Sequence, residues 1–154
     1  MTDATPLAAE VVELVPALAV RLRLSALFEA AGSGLTPSQL LCALLVDQAE
    51  GRKMTTGSLA KELAMSGPST TALVDRLVKV GLLARARGED RRVVWVSLTE
   101  RGAGAMERLR QGLRDRVVHV LEAMDAPARR ALVEALAQVA AFADQVALPH
   151  PSPA

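Results

Sequence analysis

Residues 55–102, TTGSLAKELAMSGPSTTALVDRLVKVGLLARARGEDRRVVWVSLTERG, decide the fold. Thr55 reads as the cap of a short helix whose inward residues are Leu59, Ala60 and Leu63. A brief Ala64-Met65-Ser66 link follows, as short as a helix-turn-helix requires. Ser66 then caps a second helix with Pro68 in its first turn, Leu73, Val74 and Leu77 on its inward face, and Gly81 as its stop. Next come two strands, 82–87 and 92–98, around a Gly88-Glu89-Asp90 turn. Val94, Val96 and Leu98 alternate with Val93, Trp95 and Ser97 along the return strand. Thr99 opens a further helix. The pattern predicts a mainly α fold with a small β-hairpin wing, that is, a winged helix-turn-helix lobe.

Working outward, 7–31 repeats Leu7, Val11, Leu14, Leu18, Leu22 and Phe28 at helical spacing. Pro16 lies inside the pattern, and Gly32-Ser33-Gly34 ends it. Thr36-Pro37-Ser38-Gln39 opens another helix, with Thr at the N-cap, Pro at N1 and Gln at N3; it runs to about Gly51. The helix from Thr99 carries Met106, Leu109, Leu113, Val117, Val120, Leu121 and Met124, and Asp125 caps a last one striped with Leu132, Leu136, Val139, Phe142 and Val146. These amphipathic ends are surplus to a small winged lobe and predict burial against a second copy. The expected organisation is an N-terminal dimerisation helix (1–34), a DNA-binding lobe (35–102), C-terminal dimerisation helices (103–148) and a disordered proline-rich tail (149–154).

Charge is localised. Residues 52–92 hold nine basic and four acidic residues, a net +5; the remainder holds nine basic and thirteen acidic, −4, and the chain totals +1. A basic centre between acidic flanks is the footprint of a polyanion site. Small polar residues at a helix start (Ser66, Ser69, Thr70, Thr71) suit close approach to base edges or phosphates. Arg85, Arg87, Arg91 and Arg92 on a protruding hairpin suit phosphates or a minor groove. Blander roles remain for some: Ser66 as a cap alone, and Arg76 paired with Asp75 or Glu62.

Aromatic residues make up only 2%, which excludes a single-strand stacking platform. The lone Cys42 excludes an internal disulfide framework and suits a reducing cytoplasm, either as a packed core residue or as a redox or ligand sensor. The N-terminus lacks the pattern of a signal peptide, and no uncharged apolar run approaches the ~18 residues of a membrane span. His119 lies off its helix's apolar stripe and His150 lies in the tail. No metal-ligand spacing, nucleophile elbow or phosphate-binding glycine loop appears. Neither catalysis, a metal nor a cofactor is expected.

Asp90-x-Arg92, five residues, Leu98-Thr99, two residues, Gly102, together with SGPSTTALVDRLVKVGLL from Ser66 to Leu83, resembles the MarR family of bacterial transcriptional regulators. That resemblance implies a homodimer on double-stranded DNA with palindromic operators, usually a repressor, and often a small phenolic or apolar effector that lowers DNA affinity. It implies that Arg92, the wing-tip arginine, enters the minor groove, that Asp90 shapes the wing turn and that Asp75 holds the wing arginine by a salt bridge. Thr55, Pro68 and Arg76 complete the candidate DNA-binding set read from the residues. An effector pocket next to the dimerisation helices would draw on Leu22, Leu41, Leu45 and Met106, each of which reads more simply as plain core. Ala72 stands where many relatives have a longer side chain, so base readout there is sparse. Peroxide-sensing cysteine chemistry does not transfer, because Cys42 lies in the second helix and tyrosine is absent. The alternative reading is a winged helix used for protein interaction without sequence-specific DNA binding.

Overall fold

The computed structural model describes residues 4–25, 34–90 and 92–146. Helices α1 (Ala4–Arg21) and α2 (Pro37–Gln48) lead through a single 3-10 turn, Glu50–Arg52, into strand β1 (Lys53–Thr55). Then follow α3 (Thr56–Glu62), α4 (Gly67–Lys79), β2 (Leu83–Arg87), β3 (Val94–Leu98), α5 (Glu100–Glu122) and α6 (Ala126–Gln145). The described residues of Met1–Leu113 form one compact unit and those of Arg114–Ala154 a second, with α5 running from the first into the second. The expected division at 102/103 falls inside α5. Among the described residues, no helix is long and apolar enough to cross a membrane.

Helix starts follow the capping chemistry read from the sequence. Thr36 Oγ1 accepts from Gln39 N while Gln39 Oε1 accepts from Thr36 N at 2.8 Å, a complete capping box. Thr55, Ser66 and Asp125 each accept from the backbone N–H three residues on. Two left-handed residues make the sharp turns: Ala64 (φ +51°) between α3 and α4, and Gly81 (φ +75°) after α4. At the latter, Leu82 N–H returns to the Leu77 carbonyl at 2.9 Å, closing the helix end.

The sequence reading differs from the structure in two places. The N-terminal helix is interrupted after Arg21, where the chain turns at Leu22 and Arg23 takes a φ of +49°; Leu24 and Ser25 are helical again, and residues 26–31 of the expected helix lie outside the described residues. Pro16 lies inside α1 as expected, whereas Phe28 and Gly32-Ser33 lie outside the described residues, as does the tail from Pro149. Second, the wing is three-stranded. The sheet order is β1-β3-β2, all antiparallel, with Met54 opposite Val96 and Arg85 opposite Val96 from the other side. Three residues are too few to show a period of two, so β1 left no pattern in the sequence.

The core of the first unit lies where α2, α4, α5 and the sheet meet. Cys42, Ala43 and Val46 of α2, Leu59 of α3, Val74 and Leu77 of α4, Leu83 and Val96 of the sheet, and Ala105 and Met106 of α5 are all buried. Burial pushes the Cys42 thiol up from 9.0 to about 11. Gly102 is required by close approach: a Cβ there would stand 2.1 Å from the Leu82 carbonyl oxygen. Thr99 ties the same junction, with its hydroxyl donating to the Gly81 carbonyl at 2.6 Å and accepting from Gly102 N at 3.0 Å. The Leu98-Thr99-x2-Gly102 motif is therefore the packing of α5 across the end of α4.

Apolar faces remain uncovered in each unit. Val11, Leu14 and Leu18 of α1 are more than half exposed, and so are Leu136, Val139 and Phe142 of α6.

Candidate nucleic-acid interface

Helix α4 buries Leu73, Val74 and Leu77, so its opposite side must face solvent. Ser66, Pro68, Ser69 and Thr71 are exposed there, together with Ala72, Asp75, Arg76 and Lys79. Ser66 Oγ donates to Ser69 Oγ at 2.9 Å and accepts from Ser69 N, leaving a cluster of hydroxyls and backbone N–H groups at a positive helix end. Thr70 departs from the expectation. It is 1% exposed and its hydroxyl donates to the Ser66 carbonyl at 3.0 Å, so its side chain faces the core. Thr70 stands at helical spacing before Leu73, Val74 and Leu77 and so lies on their buried face, a relation its polar side chain conceals. Ala72 and Lys79 extend the exposed face; Lys79, three positions after Arg76, was legible from helical spacing and was passed over. Thr55 is half-buried, its Oγ1 donating to Ser58 Oγ at 2.9 Å.

The wing is braced against this helix. Arg85 Nη1 lies 2.7 Å from Asp75 Oδ1, and its Nη2 donates to the Thr71 carbonyl at 3.2 Å. Asp75 therefore holds Arg85, and not Arg92. The register explains the choice, since Arg85 pairs with the buried Val96 and shares its side of the sheet. Arg87, two residues on, lies on that same side nearer the tip. Arg87 and Arg92 are exposed, and among the described residues neither makes an ion pair; the same holds for Arg76. Asp90 Oδ1 accepts from the Arg92 backbone N–H at 3.0 Å, and Val93 N–H closes the turn on the Asp90 carbonyl at 2.9 Å. Asp90 thus shapes the turn that presents Arg92. Arg91 lies outside the described residues.

The opposite side of the sheet carries Trp95, with Lys53 Nζ 5.2 Å from its ring. Of the expected effector residues, Met106 is buried, Leu45 packs against the core, Leu22 is half-buried and Leu41 is 50% exposed. Among the described residues, no cluster of three His, Cys, Asp or Glu side chains could hold a metal ion.

Residues 33–93 match the family model described as MarR family. The chain is 29% identical over 87 residues to the HTH-type transcriptional regulator YwhA of Bacillus subtilis. That stretch covers 56% of this chain and 63% of the relative, so the match spans less than two thirds of that protein. A MarR family protein from Bacillus stearothermophilus superposes with a TM-score of 0.73 at 27% identity, over 91% of this chain and 97% of that one. NadR, solved in complex with 4-hydroxyphenylacetate, superposes with a TM-score of 0.61 at 23% identity, over 86% of this chain and 90% of that one, a likeness of fold.

Proposed function

We propose that the protein is a dimeric, sequence-specific double-stranded DNA-binding transcriptional regulator acting as a repressor at palindromic operators, a reading supported by the match of residues 33–93 to the MarR family model. One observation carries the reading. The exposed polar start of α4 and the unpaired Arg87 and Arg92 of the wing belong to one braced unit, locked through Arg85 to Asp75 and Thr71. A helix N-terminus with short hydroxyl side chains suits a major groove, and arginines on a flanking finger suit phosphates and the adjacent minor groove.

A dimer supplies the symmetry such readers use. The uncovered apolar faces of α1 and α6 are what a second copy would bury, and two copies would present their α4 helices to half-sites about 10 bp apart. Relief of repression by a small apolar or phenolic ligand is the finer part of the proposal. Its support is the likeness in fold to a ligand-bound relative, with Leu22, Leu41, Leu45 and Met106 as candidate lining.

Capture of genomic fragments by the purified protein tests the reading. The expected result is an enriched motif with two inverted half-sites centred ~10 bp apart. Bound fragments that share no two-fold motif, or no fragments above background, would leave the protein-interaction reading in its place. For the effector, a phenolic acid such as 4-hydroxyphenylacetate is expected to raise the melting temperature and release the captured DNA; a ligand that does the first without the second is no effector.

A further inference from the structure

Asp47 stands near the C-terminal end of α2 with its side chain only 3% exposed, between a turn and a helix that each bring it an arginine. Its Oδ2 accepts from Arg110 Nη1 of α5. Glu107 grips the same guanidinium through Nε at 3.1 Å and Nη2 at 2.9 Å. The other oxygen, Oδ1, is buried and accepts no hydrogen bond, while Arg52 Nε waits 3.5 Å away. Arg52 also holds a left-handed φ of +51° directly after Gly51 at +64°, a costly conformation for a residue with a Cβ. It immediately precedes β1, whose Lys53, Met54 and Thr55 pair with Ser97, Val96 and Trp95 of the wing. One buried carboxylate thus joins α2, α5 and the strand that backs the wing.

The two contacts are unequal: one is closed and reinforced, the other open and attached to a strained residue. A buried carboxylate stripped of its cation is strongly destabilising, so a loss at Oδ2 must be met at Oδ1. We propose that Asp47 is a hand-off switch between α5 and the base of the wing. A displacement that draws Arg110 away makes Arg52 close on the carboxylate, and because Arg52 is one residue from β1, closing pulls on β1 and through it on β3. Asp47 acts as a positioning residue and touches no DNA. The consequence for DNA affinity rests on the DNA-binding reading above, whereas the hand-off is a property of the free protein.

Trp95 is the only tryptophan in the chain and sits on β3 opposite Thr55, so its fluorescence reports the β1–β3 pair directly. The experiment compares full-length wild type, R110Q, R52Q and R110Q/D47N by Trp95 emission and acrylamide quenching without DNA, and by affinity for a captured genomic fragment. R110Q is expected to shift the emission and to change DNA affinity by ~2- to 30-fold, the range of coupling between linked elements. R52Q alone is expected to leave Trp95 at its wild-type emission, and adding D47N to R110Q, which removes the buried charge that draws Arg52 in, is expected to abolish the shift. Should R110Q fail to fold, R110M, which also removes the cation but keeps an unbranched stem in the same space, is expected to shift Trp95 in the same sense, and D47N to cancel it. An unmoved Trp95 in the folded Arg110 variant overturns the hand-off and leaves Asp47 a static pin. A shift that persists when Asp47 is neutralised overturns it equally. If the wild type binds no fragment, the DNA reading fails and the Trp95 comparison still decides the switch.

Discussion

Arg85 and Arg87 are two residues apart on one strand and share one side of the sheet, yet their expected roles diverge, and removing each in turn exposes the difference. Arg85 is engaged on both sides, by Asp75 Oδ1 at 2.7 Å and by the Thr71 carbonyl at 3.2 Å, with its side chain 30% exposed. Asp75 is itself more exposed than buried, so the ion pair stabilises by only about 0.5–1 kcal/mol. The bond to the carbonyl adds a similar amount, on the order of 1 kcal/mol. Arg85→Ala should therefore loosen the wing from α4 and weaken specific DNA binding by about 1–2 kcal/mol, roughly 5- to 30-fold. Its guanidinium is already neutralised by Asp75 and displaces no counterion from DNA, so the slope of log affinity against log salt should stay at its wild-type value. Arg87→Ala, by contrast, should flatten that slope by about 0.9, one phosphate contact. The assay is a fluorescence-anisotropy titration of a captured operator at four or more salt concentrations. A double-mutant cycle of Arg85→Ala with Asp75→Ala should show a coupling of about 0.5–1 kcal/mol, the size of the ion pair. Should Arg85→Ala flatten the slope as much as Arg87→Ala does, or should the cycle be additive, Arg85 contacts phosphate and the brace is no part of the mechanism.

Arg92→Ala should weaken operator binding by about 1–3 kcal/mol at fixed salt; unchanged affinity removes the wing tip from recognition. Gly102→Ala forces a Cβ against the Leu82 carbonyl and should destabilise the protein by roughly 1–3 kcal/mol, read as a lowered urea midpoint with near-wild-type m. Cys42 is fully buried with its thiol raised to about 11, so a disulfide reagent at pH 8 should react with it only as fast as the protein unfolds. The linked effect on stability has a definite sign. Between pH 9.0 and about 11 the unfolded chain binds fewer protons than the folded one, so the neutral thiol's contribution is complete below 9.0 and is lost as pH rises through 11. Leu136→Glu or Val139→Glu on the uncovered face of α6 should convert a dimer to a monomer in sedimentation at micromolar concentration; an unchanged sedimentation coefficient would place the interface elsewhere.

Local chemistry made much of the fold legible. Each cap at Thr36, Thr55, Ser66 and Asp125 involves residues three apart in sequence, so side chain and helix start can be read together from the chain. The hairpin and the turn at Asp90 are local in the same sense. Thr70 lies three, four and seven positions before Leu73, Val74 and Leu77 and so shares their inward face; its polar side chain masks that spacing. Strand β1 escaped because its only pattern is its partner: three residues become a strand when β3 offers them a ladder 40 to 44 residues away.

By itself, the order of residues determined the capped helix starts, the hairpin of β2 and β3 with its turn at Asp90, and the concentration of positive charge, since each rests on interactions within a few positions along the chain. Only the tertiary structure decided who pairs with whom across it. Asp75 takes Arg85 because strand register puts that arginine on the side of Val96. Asp47 takes Arg110, 63 residues away, because α5 packs over the end of α2. Those choices follow from packing a core and satisfying the charges that packing buries, and no sequence window spans them.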